Sequence, residues 1–410
     1  MKQNTTYKQT ELGLIPDDWE VKKLGEIGNI ITGSTPSTTN LEYYKNGTFD
    51  FIGPADLNSN KYIDNAEKKV TEKGLNVGRI LKQKSVLVTC IGSTIGKIGI
   101  NKNICITNQQ INAIETDKNN SDFIYYSILE RKGRLKLIAG EQAVPVLNKT
   151  EFSKFKIPLP PLPEQKKIAD CLSTWDVAIE KQNALINVLT DRKKALMQQL
   201  LTGKKRLPGF SGEWKEVKLG DLFEKINRKN EEGNTNVVTI SAQRGFVKQT
   251  DFFNKSVASE TLDNYSLIYH GEFCYNKSYS NGYPLGATKR LIAFEKAVVT
   301  TLYICFKIKD QKKSNGSFFE QFFEANSLDR SLIKIAQEGG RAHGLLNVSL
   351  SDFFNIKIKL PPIEEQTAIA EILAAADREL QLQKEKLAQL QAQKKGLMQV
   401  LLTGKKRLIN

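Results

Sequence analysis

The sequence predicts an α+β protein built as a pseudo-twofold, circularly permuted internal repeat. In it, two similar globular domains with mainly antiparallel sheets are separated by two long helices packed as an antiparallel coiled coil. Three observations lead there. Residues 159–207 recur at 360–408 without a gap, with 24 identities in 49 positions. A shorter element, Trp19-Glu20-Val21-Lys22-Lys23-Leu24-Gly25, recurs as Trp214-Lys215-Glu216-Val217-Lys218-Leu219-Gly220. Between these markers lie two blocks of similar length but strongly different sequence, so two like scaffolds carry different surfaces. The expected boundaries are 1–158 and 208–359 for the globular domains, and 159–207 and 360–410 for the repeated helices.

The first block alternates short β-rich runs with turn clusters: Ile30-Ile31 before 32–37, Val86-Leu87-Val88 before 92–97, and Ile104-Cys105-Ile106-Thr107 before Asn108-Gln109-Gln110. The second block keeps the rhythm with 237–240, 271–275 and a run at 298–304 that reads as one strand.

The repeated segment is helical by its period. Ile168, Leu172, Trp175, Ile179, Gln182, Ile186, Leu189, Lys193, Leu196 and Leu200 step by alternating four and three residues, the spacing of a heptad seam. Ile369, Leu373, Ala376, Leu380, Gln383, Leu387, Leu390, Lys394, Leu397 and Leu401 occupy the same ten places in the second copy. Paired prolines precede each helix, and Gly203 and Gly404 supply left-handed stops. Each helix should span roughly 55 Å at about 1.5 Å per residue. A seam of this kind is most simply covered by the other copy, running antiparallel, and the pseudo-twofold then places the end of the sequence beside its start.

Composition narrows the function. A chain of 410 residues with 60 Lys+Arg against 45 Asp+Glu carries a formal charge of +15, which suits a polyanionic partner. Two histidines, His270 and His343, exclude a multi-histidine metal centre. The five cysteines (Cys90, Cys105, Cys171, Cys274, Cys305) form no C-x-x-C pair and read as reduced, buried thiols. No apolar run has the length of a secretory signal core or a membrane span, so a cytoplasmic location is expected. Gly92-Ser93-Thr94-Ile95-Gly96-Lys97 imitates a phosphate loop but is one residue short and lacks the magnesium-binding hydroxyl. Asp56 with Glu67 and Lys69 has the spacing of a metal-dependent nuclease, but it lies in a Lys- and Asn-rich stretch with no counterpart in the second block. The expected catalytic and metal-ligating sets are therefore empty.

The loops offer the chemistry of base reading: Arg or Lys for guanine, Asn or Gln for adenine, hydroxyls for either, and cations for phosphate. On residue type and loop placement the DNA-binding candidates are Thr35, Ser93, Thr94, Lys97, Asn108, Gln109, Gln243, Arg244, Lys277, Tyr279, Asn281, Lys289, Arg290 and Arg341.

The order of parts resembles the DNA-specificity subunit of a type I restriction-modification system. The resemblance rests on Leu-Pro-Pro-Leu-Pro-Glu-Gln-Lys-Lys-Ile-Ala at 159–169, Leu-Pro-Pro-Ile-Glu-Glu-Gln-Thr-Ala-Ile-Ala at 360–370, and Leu-Leu-Thr-Gly-Lys-Lys-Arg-Leu after each helix. It implies that the globular blocks are target recognition domains, each reading one half of a bipartite asymmetric DNA sequence across an unread gap. It also implies that the helices set that gap and dock two methyltransferase subunits. S-adenosylmethionine, ATP and Mg²⁺ would then belong to the methyltransferase and restriction-translocase subunits, and this chain would bind no cofactor and catalyse nothing.

Overall fold

The computed structural model describes residues 6–57, 60–140, 142–253, 261–338 and 346–408. The chain divides into two compact units, Met1–Asn183 with Lys386–Asn410, and Ala184–Glu385. Each long helix, Leu162–Leu200 and Ile363–Leu401, has 39 residues and begins in one unit and ends in the other. Among the described residues no helix is long and apolar enough to cross a membrane.

In the first unit, a five-stranded sheet orders the strands Asn29–Thr32, Ile111–Glu115, Val86–Thr89, Ile98–Asn101 and Tyr62–Ile63 from edge to edge. A second sheet has three strands, in the order Cys105–Thr107, Phe49–Ile52, Lys68–Val70. Pairing is mainly antiparallel, with two parallel exceptions at the short strands Tyr62–Ile63 and Cys105–Thr107. The helix Ser121–Glu130 is capped by Asn120 and buries Phe123, Ile124, Tyr126 and Ile128 against the sheet.

The second unit is antiparallel in its named strands, centred on the order Phe223–Lys225, Ile304–Ile308, Phe273–Asn276, Ala287–Arg290. The run 298–304 is two strands, Lys296–Val299 and Ile304–Ile308, rather than one. The Tyr303 amide folds back onto the Thr300 carbonyl at 3.3 Å, and Leu302 stands 56% exposed in the turn between them. The core is aromatic: the Phe223 ring meets those of Phe319, Phe306 and Phe273 edge-on at 4.8, 5.1 and 5.9 Å. The thiols of Cys90, Cys105, Cys274 and Cys305 are buried and Cys171 is half-buried, with no disulfide among them.

The seam residues are buried or half-buried along both helices, whereas most positions between them are exposed. Within the first unit the start of one helix meets the end of the other, since Ile168, Ala169 and Leu172 share a core with Met398, Leu401 and Leu402. The pairing is therefore antiparallel, and the helix ends also belong to the cores of the globular domains. The two seam lysines are matched by acids. Lys394 pairs with Asp176 in the first unit, and Lys193 pairs with Asp377 at 2.5 Å in the second. Tyr126 donates to Asp176, and buried Lys61 bridges Asp122 at 2.9 Å and Ser173 at 2.7 Å, which ties the sheet domain to the helix. Burial pushes the Tyr126 hydroxyl well above its ordinary range, with the neighbouring Asp176 charge adding to it, so it stays a donor.

The shorter repeated motifs meet in space. The strand after each repeated tryptophan pairs antiparallel with the strand that feeds a long helix: Glu20–Lys23 with Lys156–Leu159, and Lys215–Lys218 with Lys357–Leu360. In the first unit, the buried Glu164 carboxylate accepts the Trp19 Nε1 proton at 3.0 Å and the Arg407 guanidinium at 2.7 Å; Arg407 also holds Asp18 at 2.7 Å. In the second, Glu365 accepts Trp214 Nε1 at 3.1 Å and Arg206 Nε at 2.6 Å. The following glutamines clamp the loops: Gln165 Nε2 donates to the Pro160 carbonyl and Gln366 Nε2 to the Pro361 carbonyl, each at 2.9 Å. The C-terminal segment thus lies beside the N-terminal one, as the permuted repeat requires. Gly404 (φ +71°) ends its helix there, and a Cβ on it would come within 2.4 Å of Pro16.

Candidate nucleic-acid interface

In the first unit four loops gather at one end of the sheets. Backbone hydrogen bonds fix them: Ser34 N to Thr107 O at 2.8 Å, Asn108 N to Ile52 O at 3.2 Å, and Cys90 N to Gln110 O at 2.7 Å. Gly33 is required at this crossing because a Cβ would fall 2.0 Å from the Asn108 carbonyl. The result is a concavity of about 620 Å³ lined by Thr35, Asn108 and Gln109, with Gln110, Tyr44 and Phe51 among its other walls. The Thr35 hydroxyl donates to Gln109 Oε1 at 2.6 Å, and both side chains are exposed. Ser93 is exposed and Thr94 half-buried in the neighbouring turn, while Lys97 is half-buried and donates from Nζ to the Pro54 carbonyl at 3.2 Å. Lys68 and Thr38 also line the concavity, and sequence reasoning missed both; Lys68 is hidden there within a lysine-rich run.

In the second unit the turn 241–245 and the loop 277–286 meet, with Gln243 Nε2 donating to the Asn281 carbonyl at 2.9 Å. Gln243, Arg244, Tyr279 and Asn281 are exposed, Tyr279 to 68%, and Arg244 lies over the Phe252 ring at 6.0 Å. Lys277 is half-buried, and its carbonyl accepts from Leu346 N at 3.1 Å.

Two candidates, Lys289 and Arg290, are engaged by acids within the unit. Lys289 has a side chain only 10% exposed, pairs with Glu324 and donates to Tyr283 Oη at 3.1 Å. Arg290 packs over Phe273, bonds the Gly271 carbonyl at 3.3 Å and lies 3.6 Å from Glu320. Their strand is covered by the helix Gly316–Glu324, which supplies both acids. Arg341 lies outside the described residues, as does His343. Lys289→Ala should therefore cost about 1–2 kcal/mol of stability, because Glu324 loses its cation but keeps the Tyr283 hydroxyl and, at 36% exposed, can also turn to water. A denaturation midpoint shift with an unchanged salt slope of DNA binding would agree with this; the reverse pattern would return Lys289 to the interface.

The enzyme-like motifs resolve into structure. Asp56 staples its own loop, accepting from Gly53 N at 2.8 Å and Glu67 N at 2.9 Å, while Lys69 pairs with Asp50. Among the described residues no group of three or more His, Cys, Asp or Glu side chains is placed to hold a metal.

Comparison with known proteins agrees with this construction. The model of the type I restriction modification DNA specificity domain matches residues 16–191 and again 211–392. The chain is 26% identical over 437 residues to the type I restriction enzyme MjaVIII specificity subunit of Methanocaldococcus jannaschii, covering 97% of this chain and 95% of that one. The MjaIX specificity subunit of the same organism is 38% identical over 192 residues, 44% of each chain. The fold is similar to that of the S subunit of the Type-I restriction-modification system from M. genitalium, with a TM-score of 0.56, 15% identity and coverage of 98% and 97%. The chain belongs to the type I restriction-modification specificity-subunit family, carries two of its target recognition domains, and serves recognition rather than catalysis.

Proposed function

We propose that this chain binds double-stranded DNA in a type I restriction-modification complex, each globular domain reading one half of a bipartite, asymmetric target. One observation carries the reading: two units of like build present different exposed sets at their loop ends. The first offers Thr35 and Gln109, with half-buried Asn108 beside them, and the second Gln243, Arg244, Tyr279 and Asn281. Amides, hydroxyls and a guanidinium are the groups that hydrogen-bond base edges in a groove, and different sets select different bases. Residues 1–158 and 208–359 are assigned as the target recognition domains, and 159–207 and 360–410 as the helices that set the gap between half-targets and dock two methyltransferase subunits.

Catalysis belongs to partners on this reading. S-adenosylmethionine serves the methyltransferase subunits, ATP and Mg²⁺ serve the restriction-translocase subunits, this chain holds no cofactor, and the complex works in the cytoplasm. The positive charge of the chain supports a phosphate component that weakens steeply with salt. The test is fluorescence anisotropy of the purified chain, alone and with its methyltransferase partner, on mixed-sequence duplex. Binding with a negative slope of log affinity against log salt, and no cleavage with Mg²⁺, is expected. Absence of binding in both preparations, or cleavage by the chain alone, would refute the proposal.

A further inference from the structure

The stretch that follows Arg131 carries a surface that neither the loops nor the helix seam explains. The helix Lys132–Ala139 buries only Leu135 and Ala139. Lys132, Arg134 and Lys136 are exposed, and none of them is ion-paired among the described residues. Leu137 stands 80% exposed beside Ile138 at 48%, and the strap that follows exposes Val144 and Val146. Residues 131–149 hold Arg131, Lys132, Arg134, Lys136 and Lys149 against one acid, Glu141, a net charge of +4. Bare aliphatic side chains flanked by unpaired cations mark a surface that is covered in use.

Its position identifies the cover. Gly92 N donates to the Pro145 carbonyl at 2.8 Å, Ile91 bridges Val146, and a Cβ on Gly96 would touch the Lys132 Cβ at 3.4 Å. Helix and strap therefore form one wall of the 91–97 turn, which holds Ser93, Thr94 and Lys97. The second unit repeats the arrangement with different residues: the helix Asp329–Ile335 exposes Ile333 to 65%, and Leu346 N, beyond it, bonds the Lys277 carbonyl at 3.1 Å. In two blocks of strongly different sequence, the segment after the second helix is hydrogen-bonded to a candidate reading loop.

We propose that the exposed face of Lys132–Ala139 with the strap 142–146 is part of the DNA interface of the first unit. Lys132, Arg134 and Lys136 take backbone phosphates, and Leu137 seats against the apolar sugar and thymine-methyl edge of the groove. Duplex DNA supplies both complements at once, a line of phosphates beside apolar groove surface, which suits exposed cations set beside Leu137 in a segment of net charge +4. The inference rests on the proposal that this unit binds duplex.

The test compares full-length chain, the Lys132→Ala/Arg134→Ala/Lys136→Ala variant and Leu137→Ser on a fluorescent mixed-sequence duplex across a salt series. Because all four side chains are exposed, thermal midpoints should stay at the wild-type value. The triple variant should bind more weakly at low salt, with its slope reduced by about 2.7, or about 0.9 for each phosphate no longer neutralised. Leu137→Ser should weaken binding about 3- to 10-fold without changing the slope. Wild-type affinity and slope in the triple variant, while wild type itself binds, would overturn this inference alone. Failure of wild type to bind would overturn the function it rests on as well. Loss of methyltransferase association by Leu137→Ser with DNA binding intact would make the surface a protein dock and overturn the proposal.

Discussion

Glu164→Ala is expected to lower the stability of the first unit by about 3–5 kcal/mol, the cost of leaving a buried cation without its partner. Glu164 is 3% exposed and receives the Arg407 guanidinium through both Nε and a terminal nitrogen, together with the Trp19 indole. Its removal leaves Arg407, whose side chain is 9% exposed, with only the surface carboxylate of Asp18. The matched change Glu365→Ala should cost less, because the Arg206 side chain is 26% exposed and can turn to water. Chemical denaturation followed by tryptophan fluorescence measures both, and equal losses would show that burial of the arginine does not govern the knot. The knot also has a pH signature. The hydrogen-bonded Arg407 guanidinium holds the Asp18 carboxyl below its ordinary value. A depressed folded-state pKa stabilises the protein above the unfolded-state pKa of about 4, and that contribution fades as pH falls through the folded-state value. Acid below about pH 4 should thus loosen the Asp18 arm.

Gln109→Ala is expected to weaken binding to the cognate target about 10- to 100-fold and to relax the base choice within one half-target. A well-placed amide contact is worth about 1–3 kcal/mol of discrimination, and each 1.4 kcal/mol is tenfold. Gln109 is exposed, and its described side-chain bond is the one accepted from Thr35, so stability should stay at the wild-type value. Asn108 is a poorer choice for this test, because its Oδ1 accepts from Gln110 N at 3.1 Å and shapes the turn. Competition between half-target variants on labelled duplex gives the answer. Uniform loss on every sequence would make Gln109 a phosphate-positioning residue instead.

Much of the architecture is legible in the sequence because it is written in period and repetition. The ten-position seam, the glycine stops and the shift between the copies are local patterns whose structural meaning follows from helix geometry alone. Direction and partnership are what stay hidden. Lys289 and Arg290 read as free cations because their acids, Glu324 and Glu320, lie on a helix some thirty residues further on. Glu164 and Arg407 read as an ordinary first-turn acid and a basic tail, since nothing local links residues 243 apart. The run 298–304 reads as one strand because Val, Thr and Tyr suit strands, and the turn bond from Tyr303 to Thr300 breaks it. The loop candidates Thr35, Asn108 and Gln109 meet because backbone bonds between distant strands bring their turns together, which no spacing in the sequence encodes.

The most direct test of the central claim is sequencing of modified bases in cells that carry this chain with its methyltransferase partner, as wild type and as Gln109→Ala. Two specific half-targets separated by a fixed unread gap are predicted, with the variant altering one half and leaving the other half and the gap unchanged. A single continuous target, or a change in both halves from the one substitution, would contradict it.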